Sequence, residues 1–542
     1  MKTSLFFALL ISVFATATYA GNTKMSVHTH NPATNEVSLG NNYGTYTIST
    51  AEGNDFIEVS GENMLGDKLK DGTLLKTAKP SINDLKSTDR WQKWLISKQA
   101  NGYFTIMNLN SGKYITASAG KSITQARANQ TDAQYWQIIK TQGNYYKVIN
   151  KGNGLVISNN SLPKDSALTQ SAYTNSASQH WKLNAIEADS YRDDAVVGFF
   201  QRNSGSSAFD EGSSIPLYYN LNKGKVLWVT GDTFYNQVDA KGEFGCNLFF
   251  PYHNSALLQP ADHSWDPEKT KNLISSDGPQ IFHPADPKNL FWPGAGIEVG
   301  NRIYVHNIEV ITGTLNTVNQ YLGVIAETGT NNISPVKVVA VPGMTGQTAI
   351  VYTVGMVNPG DGYMYAYGIG GFMSASVYVA RFTAAAPTKW SFWDGKYWAD
   401  KPSVAAKAAV AKATTNNIAV GYVNGKFLLV DMDFGFTCDV TTRNMYSSVS
   451  ASPIGPFINK KTIYTLPDYK QGHAPVYYNP TIHAEFKNGH NELLIAYCIN
   501  FYNRNDAKNT TCLTPCSNAD GSEDPNDYRI KGIRVPYSLI GL

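Results

Sequence analysis

The triplet Gln134-Tyr135-Trp136 has its Trp 42 residues after that of Gln92-Lys93-Trp94 and 45 before that of Gln179-His180-Trp181. Each of the three units also carries an alternating stretch: Thr45-Tyr46-Thr47-Ile48, Tyr103-Phe104-Thr105-Ile106 and Tyr145-Tyr146-Lys147-Val148. Alternation of period two marks a half-buried strand. Repeats at a fixed spacing point to copies of one unit built around a shared core. The Trp supplies a large ring to that core, and the Gln can bond nearby backbone. Residues 40–185 therefore read as one all-β unit made of three copies.

Working outward toward the C-terminus, a longer, fivefold repeat begins at residue 195. Its units share an apolar strand: Lys225-Val226-Leu227-Trp228-Val229, Arg302-Ile303-Tyr304-Val305, Tyr363-Met364-Tyr365-Ala366, Lys426-Phe427-Leu428-Leu429-Val430 and Glu492-Leu493-Leu494-Ile495-Ala496. A further strand precedes each and another follows it, at Asn254–Leu258, Tyr321–Ala326, Ser376–Phe382, Asn444–Ser450 and Ile530–Val535. Five strand meanders around an axis make a five-bladed β-propeller over residues 195–542. Segment Ala195–Gln201 is expected to add the outer strand of the last blade and close the ring. Residues 186–194 are expected to be a linker.

Working toward the N-terminus, Met1-Lys2-Thr3, the apolar run Leu5–Phe14 and Thr18-Tyr19-Ala20 describe a secretory signal peptide over residues 1–20, cleaved near Ala20. Residues 21–39 are expected to be a flexible segment. No later apolar run is long enough to span a membrane, so the mature chain is expected to be exported. Aromatic residues make up 12% of the chain and charged residues only 16%, with 45 Gly. That balance suits short strands, tight turns and exposed rings for sugar. The net charge of +3 is spread without basic blocks, so a nucleic-acid partner is excluded. No metal or cofactor is expected. Of the five Cys, Cys512-Leu-Thr-Pro-Cys516 is spaced for a small disulfide loop. The same spacing fits half a metal site, but no second Cys/His pair follows.

In a propeller, the start of each inner strand and the end of the next strand meet on one face. Blade 1 places Asp210 and Glu211 before its inner strand and Asp232 after the second. Blade 2 offers Trp292 and Glu309, and blade 4 offers Asp433 beside Asp431. Blade 5 offers Tyr478 and Asn479, then His483 and Glu485 along its strand. Asn254 and Arg381 lie on later strands that could reach a substrate. Glycoside hydrolysis needs one protonated carboxyl group and one ionised one, and Asp210 with Asp232 is the first choice. Glu211, Asn254, Trp292, Glu309, Arg381, Asp433, Tyr478, Asn479 and His483 are the candidates for binding the substrate, with Trp292 able to stack on a sugar ring. For Asp232 and Asp433 the alternative is a turn-capping role.

The three Gln-x-Trp repeats resemble those of ricin-type β-trefoil lectins. That resemblance implies an acidic residue just after the second strand of a repeat to grip sugar hydroxyls. The matching positions are Glu58, Thr116 and Ser158, so Glu58 is the candidate lectin site. Ser452-Pro-Ile-Gly-Pro-Phe457 resembles a blade ending of family 43 glycoside hydrolases, whose inner-strand His-Asp-Pro is absent here. A closer resemblance is to secreted domain-of-unknown-function propellers related to endo-acting D-arabinanases. It rests on Asp210-Glu-Gly-Ser-Ser-Ile-Pro-Leu217, Leu227-Trp-Val-Thr-Gly-Asp-Thr-Phe234, Phe291-Trp-Pro-Gly294 and Asn479-Pro-Thr-Ile-His483. It implies that Asp210 and Asp232 are the catalytic pair. The expectation is thus a secreted, polysaccharide-degrading glycoside hydrolase, arabinan-type substrates favoured, with the trefoil as carbohydrate-binding module. The alternative is a non-catalytic glycan-binding lectin or adhesin.

Overall fold

The computed structural model of this all-β protein describes residues 42–61, 67–81, 89–159, 167–246, 250–275, 278–314, 316–327, 336–501, 512–513 and 521–542. The expected signal peptide, the segment 21–39 and Cys516 lie outside these residues.

The three N-terminal repeats build a β-trefoil. Strands Tyr43–Thr50, Lys93–Lys98, Phe104–Asn108, Trp136–Lys140, Tyr146–Asn150 and Trp181–Ile186 pair in sequence. The last pairs back onto the first, with Thr45 opposite Ile186, which closes a six-stranded barrel. Three hairpins cap it, formed by strands Phe56–Val59 with Leu75–Ala78, Tyr114–Ala117 with Ile123–Ala126, and Val156–Ser158 with Thr169–Ser171. The Trp of each triplet is fully buried in one shared core. Their indole N–H groups donate to equivalent carbonyls: Trp94 to Ile57 at 3.0 Å, Trp136 to Ile115 at 3.1 Å and Trp181 to Ile157 at 3.1 Å. The glutamines repeat as faithfully. Each amide nitrogen donates to a backbone oxygen, of Lys79, Arg127 or Ala172. Each amide oxygen accepts a backbone N–H, from Ser81, Asn129 or Thr174. The triplet is thus a device for tying each loop to the core beneath it.

Five four-to-six-stranded sheets follow. Their inner strands are Ser213–Pro216, Asn289–Val299, Val351–Val357, Ile418–Val423 and Val476–His483. The apolar runs read from the sequence are the second strands: Val226–Thr230, Arg302–Ile311, Met364–Gly370, Lys426–Met432 and Glu492–Asn500. They are mostly apolar because a blade's middle strands are covered on both faces by neighbouring blades. All five residues of Val226–Thr230 are buried. An outer strand such as Ile458–Thr465 is mostly exposed and carries Lys460 and Lys461, charges that discourage edge-to-edge pairing.

Ring closure differs from the expectation. Ala195–Gln201 is not a strand; Asp194–Phe200 forms an α-helix. Val196, Phe199 and Phe200 recur at helical spacing and pack with Trp228 and Phe486. The Asp193 carboxylate caps the helix by accepting from the N–H groups of Ala195 and Val196. The outer strand of the last blade is instead Tyr191–Arg192, paired with Arg534 and Ile533, inside the segment read as a linker. The trefoil packs against this region. The hydroxyls of Tyr43 and Tyr191 both donate to Glu492 at 2.7 Å, and Lys113 and Arg127 both bond Asp194.

The expected small Cys512–Cys516 loop is not formed. Cys512 is disulfide-bonded to Cys438, 74 residues away in sequence. Cys246 is also in a disulfide, and Cys498 is a buried free thiol. The cause is topological. The ring returns blade 5 beside the loop that follows blade 4's second strand, so the near neighbour in space is distant in the chain.

Candidate active site

The inner strands surround a channel of about 530 Å³ lined by residues of all five blades. At its mouth, blade 1 turns twice. Phe209 and Thr233 are paired on the flanking strands, and Ser213 faces Val229 on the inner hairpin. Between these registers, Asp210 N–H donates to the Asp232 carbonyl at 3.3 Å and Gly231 N–H to the Asp210 carbonyl at 3.0 Å. The two acids are therefore fixed side by side through their backbones. Glu211 adopts a left-handed φ of +63°, an unfavourable conformation for a residue with a side chain. It lines the channel, and one of its carboxylate oxygens is buried without a hydrogen-bond partner among the described residues.

The two aspartates differ in their surroundings. The Asp210 carboxyl accepts from the Tyr478 hydroxyl at 3.2 Å. Burial, reinforced by the charge of Asp232, pushes it up to about 8, although hydrogen bonds from Tyr528 and Tyr478 pull the other way. Glu211 is raised well above the carboxylate range by burial and by both aspartates. Asp232 Oδ1 instead lies 2.8 Å from His253 Nδ1 and accepts from the Trp292 indole N–H at 2.9 Å. Two neighbouring carboxyl groups, one proton-holding and one supplied with donors, form an acid/base asymmetry of the kind that glycosyl transfer to water uses.

The structure thus brings together Asp210, Glu211, Asp232, Trp292 and Tyr478. Asn479 sits beside them in a left-handed conformation, its N–H donating to the Asn417 side chain at 3.3 Å. Other candidates are placed elsewhere. Asn254 is buried, with its amide bonded to the backbones of Ile281, Phe282 and Phe291, so it braces a loop. Glu309 is buried and accepts from Asn289 at 2.9 Å. Asp433 is buried and accepts from the Asn444 N–H and the Tyr446 hydroxyl, the turn-capping alternative. The Arg381 guanidinium stacks on Tyr363 and Trp398 at 4.1 and 4.2 Å. Tyr363 opens the second strand of blade 3, so this stack lies toward the end of the blade opposite the acids.

His483 is buried against Trp228, and burial depresses it to about 3. Its Nδ1 meets the Ser214 hydroxyl at 2.5 Å, and the same hydroxyl bonds Glu485. Burial holds Glu485 up at about 7. Ser214 and Glu485 line the channel, with His483 buried behind them. In the trefoil, Glu58 is buried, and its carboxylate accepts from Gln92 at 2.9 Å and faces Lys76 at 3.7 Å. The second repeat uses Thr116 the same way, accepting from Gln134 at 3.1 Å. The position serves the Gln-x-Trp bracket, not an open sugar site.

His253 and Tyr528 were not among the candidates. An isolated bridge between Thr233 and Tyr252 is what carries His253 to Asp232. Tyr528 arrives from the far end of the chain, its hydroxyl 3.4 Å from the Asp232 carbonyl. Among the described residues no group of three His, Cys, Asp or Glu side chains is placed to hold a metal ion, and no helix is long and apolar enough to cross a membrane.

Comparison with known families fits this architecture. The family model described as a domain of unknown function, DUF5005, matches residues 193–532, more than half of the chain. The chain belongs to the DUF5005 family. A second model, described as ricin-type beta-trefoil lectin domain-like, matches residues 90–161 and 132–213. No curated protein sequence matches the chain. Among solved structures, it is similar to a protein from Bacteroides ovatus ATCC 8483 described as a putative hydrolase. That likeness spans 64% of this chain and 90% of the other, at 19% identity and a TM-score of 0.50, and it bears on fold alone. The designed threefold-symmetric protein ThreeFoil and the Rhizoctonia solani agglutinin each match 26% of this chain, at 19% identity. They are covered to 99% and 95% of their own lengths, with TM-scores of 0.23 and 0.22. This DUF5005 chain therefore joins a ricin-type lectin-like trefoil to a five-bladed propeller.

Proposed function

We propose that this DUF5005 protein is a secreted glycoside hydrolase acting on a polysaccharide, arabinan-type substrates favoured, with the trefoil as carbohydrate-binding module. The single observation that carries the reading is the Asp210–Asp232 pair. Asp210, protonated through neutral pH, gives its proton to the leaving glycosidic oxygen as the C–O bond breaks. Asp232 provides the negative charge on the other side of the reaction, taking the proton of the attacking water or attacking the anomeric carbon itself. His253 and Trp292 orient Asp232, while Tyr478 and Tyr528 hold Asp210. Binding at a second module on the same chain raises the effective concentration of a polymeric substrate.

The test is a panel of polysaccharides incubated with the full chain, read as new reducing ends with product analysis. Asp210→Asn and Asp232→Asn are each expected to lower the rate by a factor of about 10² or more. A cleaved polymer that both variants still cut at the wild-type rate would remove these acids from the chemistry. Polymer binding with no new chain ends across the panel would favour the lectin reading.

A further inference from the structure

Beyond the acids, one face of the propeller carries aromatic side chains that the proposed chemistry does not use. Phe372 follows the second strand of blade 3, Met364–Gly370, and Phe434 and Phe436 follow that of blade 4, Lys426–Met432. Asp232 follows the second strand of blade 1, so all lie on the face where the acids open. The rings form a connected strip. Phe372 is 5.7 Å from Phe434 and 5.4 Å from Phe436, centroid to centroid. Phe436 stacks on Tyr478 at 6.4 Å with 27° between planes. Tyr478 in turn donates its hydroxyl to Asp210. The strip runs from the solvent to the proton donor without a break.

Its outer end is open. Phe372 is 49% exposed and Met373 56%, and exposed Ser374 and Thr437 adjoin the rings in sequence. Large apolar groups in such number at the rim of a cleft mark a binding surface. The loops beneath them are held firmly. A Cβ on Gly435 would lie 2.3 Å from the Tyr477 carbonyl oxygen, so only Gly lets the Phe434-Gly435-Phe436 turn press onto blade 5. There, Tyr477 N–H donates to the Gly435 carbonyl at 2.9 Å, and the Tyr477 hydroxyl donates to the Phe434 carbonyl at 3.3 Å. Two residues later the Cys438–Cys512 disulfide pins the same loop. The Phe372 carbonyl accepts from Asn416 N–H at 3.0 Å. Rings set on fixed backbone are already arranged for a ligand, with little ordering left for binding to impose.

We propose that Phe372, Phe434 and Phe436 form a stacking platform for successive sugar rings of a glycan chain whose scissile bond lies over Asp210 and Asp232. This rests on the hydrolase reading of that pair and deepens it. A sugar has an apolar C–H face and a polar rim, which match an aromatic ring bordered by hydroxyl side chains. A cluster of rings beyond the acids on one side holds substrate past the cleaved bond.

The deciding experiment uses the full chain and the variants Phe372→Ala, Phe436→Ala and Phe372→Trp. It has two arms: turnover of the cleaved polymer against turnover of the shortest oligosaccharide still cut, and retention in polysaccharide-containing gels. Phe372→Ala is expected to lose about tenfold in kcat/KM on the polymer, chiefly through KM, while keeping wild-type turnover of the shortest substrate. Phe372→Trp is expected to retain polymer activity. Since Phe372 is half exposed and separated from Tyr478 by Phe436, the unfolding temperature of Phe372→Ala should hardly move, whereas Phe436→Ala can also disturb Asp210. Equal loss on long and short substrates, or no loss on either, overturns the platform and leaves the acid pair standing. If the wild type cuts nothing, the hydrolase reading fails separately. Gel retention then decides, with loss in Phe372→Ala supporting a glycan platform, and unchanged or absent retention overturning it.

Discussion

Replacing Gly231 by Ala separates the position of the Asp210 carboxyl from the stability of the blade that carries it. Gly231 faces the turn bearing the acids. A Cβ built there falls 2.4 Å from Asp210 Oδ1 and 3.1 Å from Glu211 Cγ, against 3.4 Å for ordinary contact. The shortfall at Asp210 is thus about 1 Å, and the carboxyl, as the movable end of a side chain, is what gives way. A displacement of about 1 Å in a catalytic group is worth on the order of 100-fold in rate. The accompanying overpacking should cost no more than about 1 kcal/mol, the low end for an inserted methyl group. The assay is reducing-end release by the wild type, Gly231→Ala, Asp210→Asn and the double variant, with thermal unfolding of each. Gly231→Ala should fall about 100-fold in kcat with little change in unfolding temperature. Adding it to Asp210→Asn should change the rate little further, because both act through one carboxyl. A Gly231→Ala enzyme with wild-type kcat would refute the reasoning, and so would additive losses in the double variant.

Other outcomes follow from the same geometry. Activity should fall on the alkaline side as pH rises through about 8, where Asp210 loses its proton, and a pH–rate profile checks this. The raised value also means that the folded state holds a proton which the unfolded chain releases. Wild-type stability should therefore decline relative to Asp210→Asn as pH rises from about 4, the ordinary range of Asp, toward 8; a constant difference in unfolding temperature would contradict it. Trp94→Phe, Trp136→Phe and Trp181→Phe each leave a buried carbonyl without its indole donor. Each should destabilise the trefoil by about 1–3 kcal/mol and to a similar degree, measured by denaturant unfolding. Cys438→Ser opens a loop with a sequence separation of 74. The chain-entropy model makes that a loss of about 4.5 kcal/mol, checked by unfolding with and without reductant.

Both folds were legible because their signals are local and repeated. A Trp preceded at two residues by Gln, or an apolar run flanked by turns, means the same thing in every copy. What was not legible depends on the direction of side chains or on distant partners. Asn254, Glu309, Arg381, Asp433 and Glu58 are the residue types that bind sugars, yet each is engaged within the fold. Residue type states what a group can bond, not whether a neighbour has already taken it. The Asp210–Asp232 juxtaposition was readable because one hairpin makes it. His253 and Tyr528 reach the same place from a later strand and from the end of the chain, and no short-range pattern announces that. Val196, Phe199 and Phe200 were spaced for a helix, but the segment's place in the ring invited a strand.

The two-residue strand Tyr191–Arg192 makes the boundary between the modules a shared possession. The matched family region begins at residue 193, just after the outer strand of the last blade. A recombination event that exchanged the lectin module cleanly at that point would leave the recipient ring with an uncovered edge.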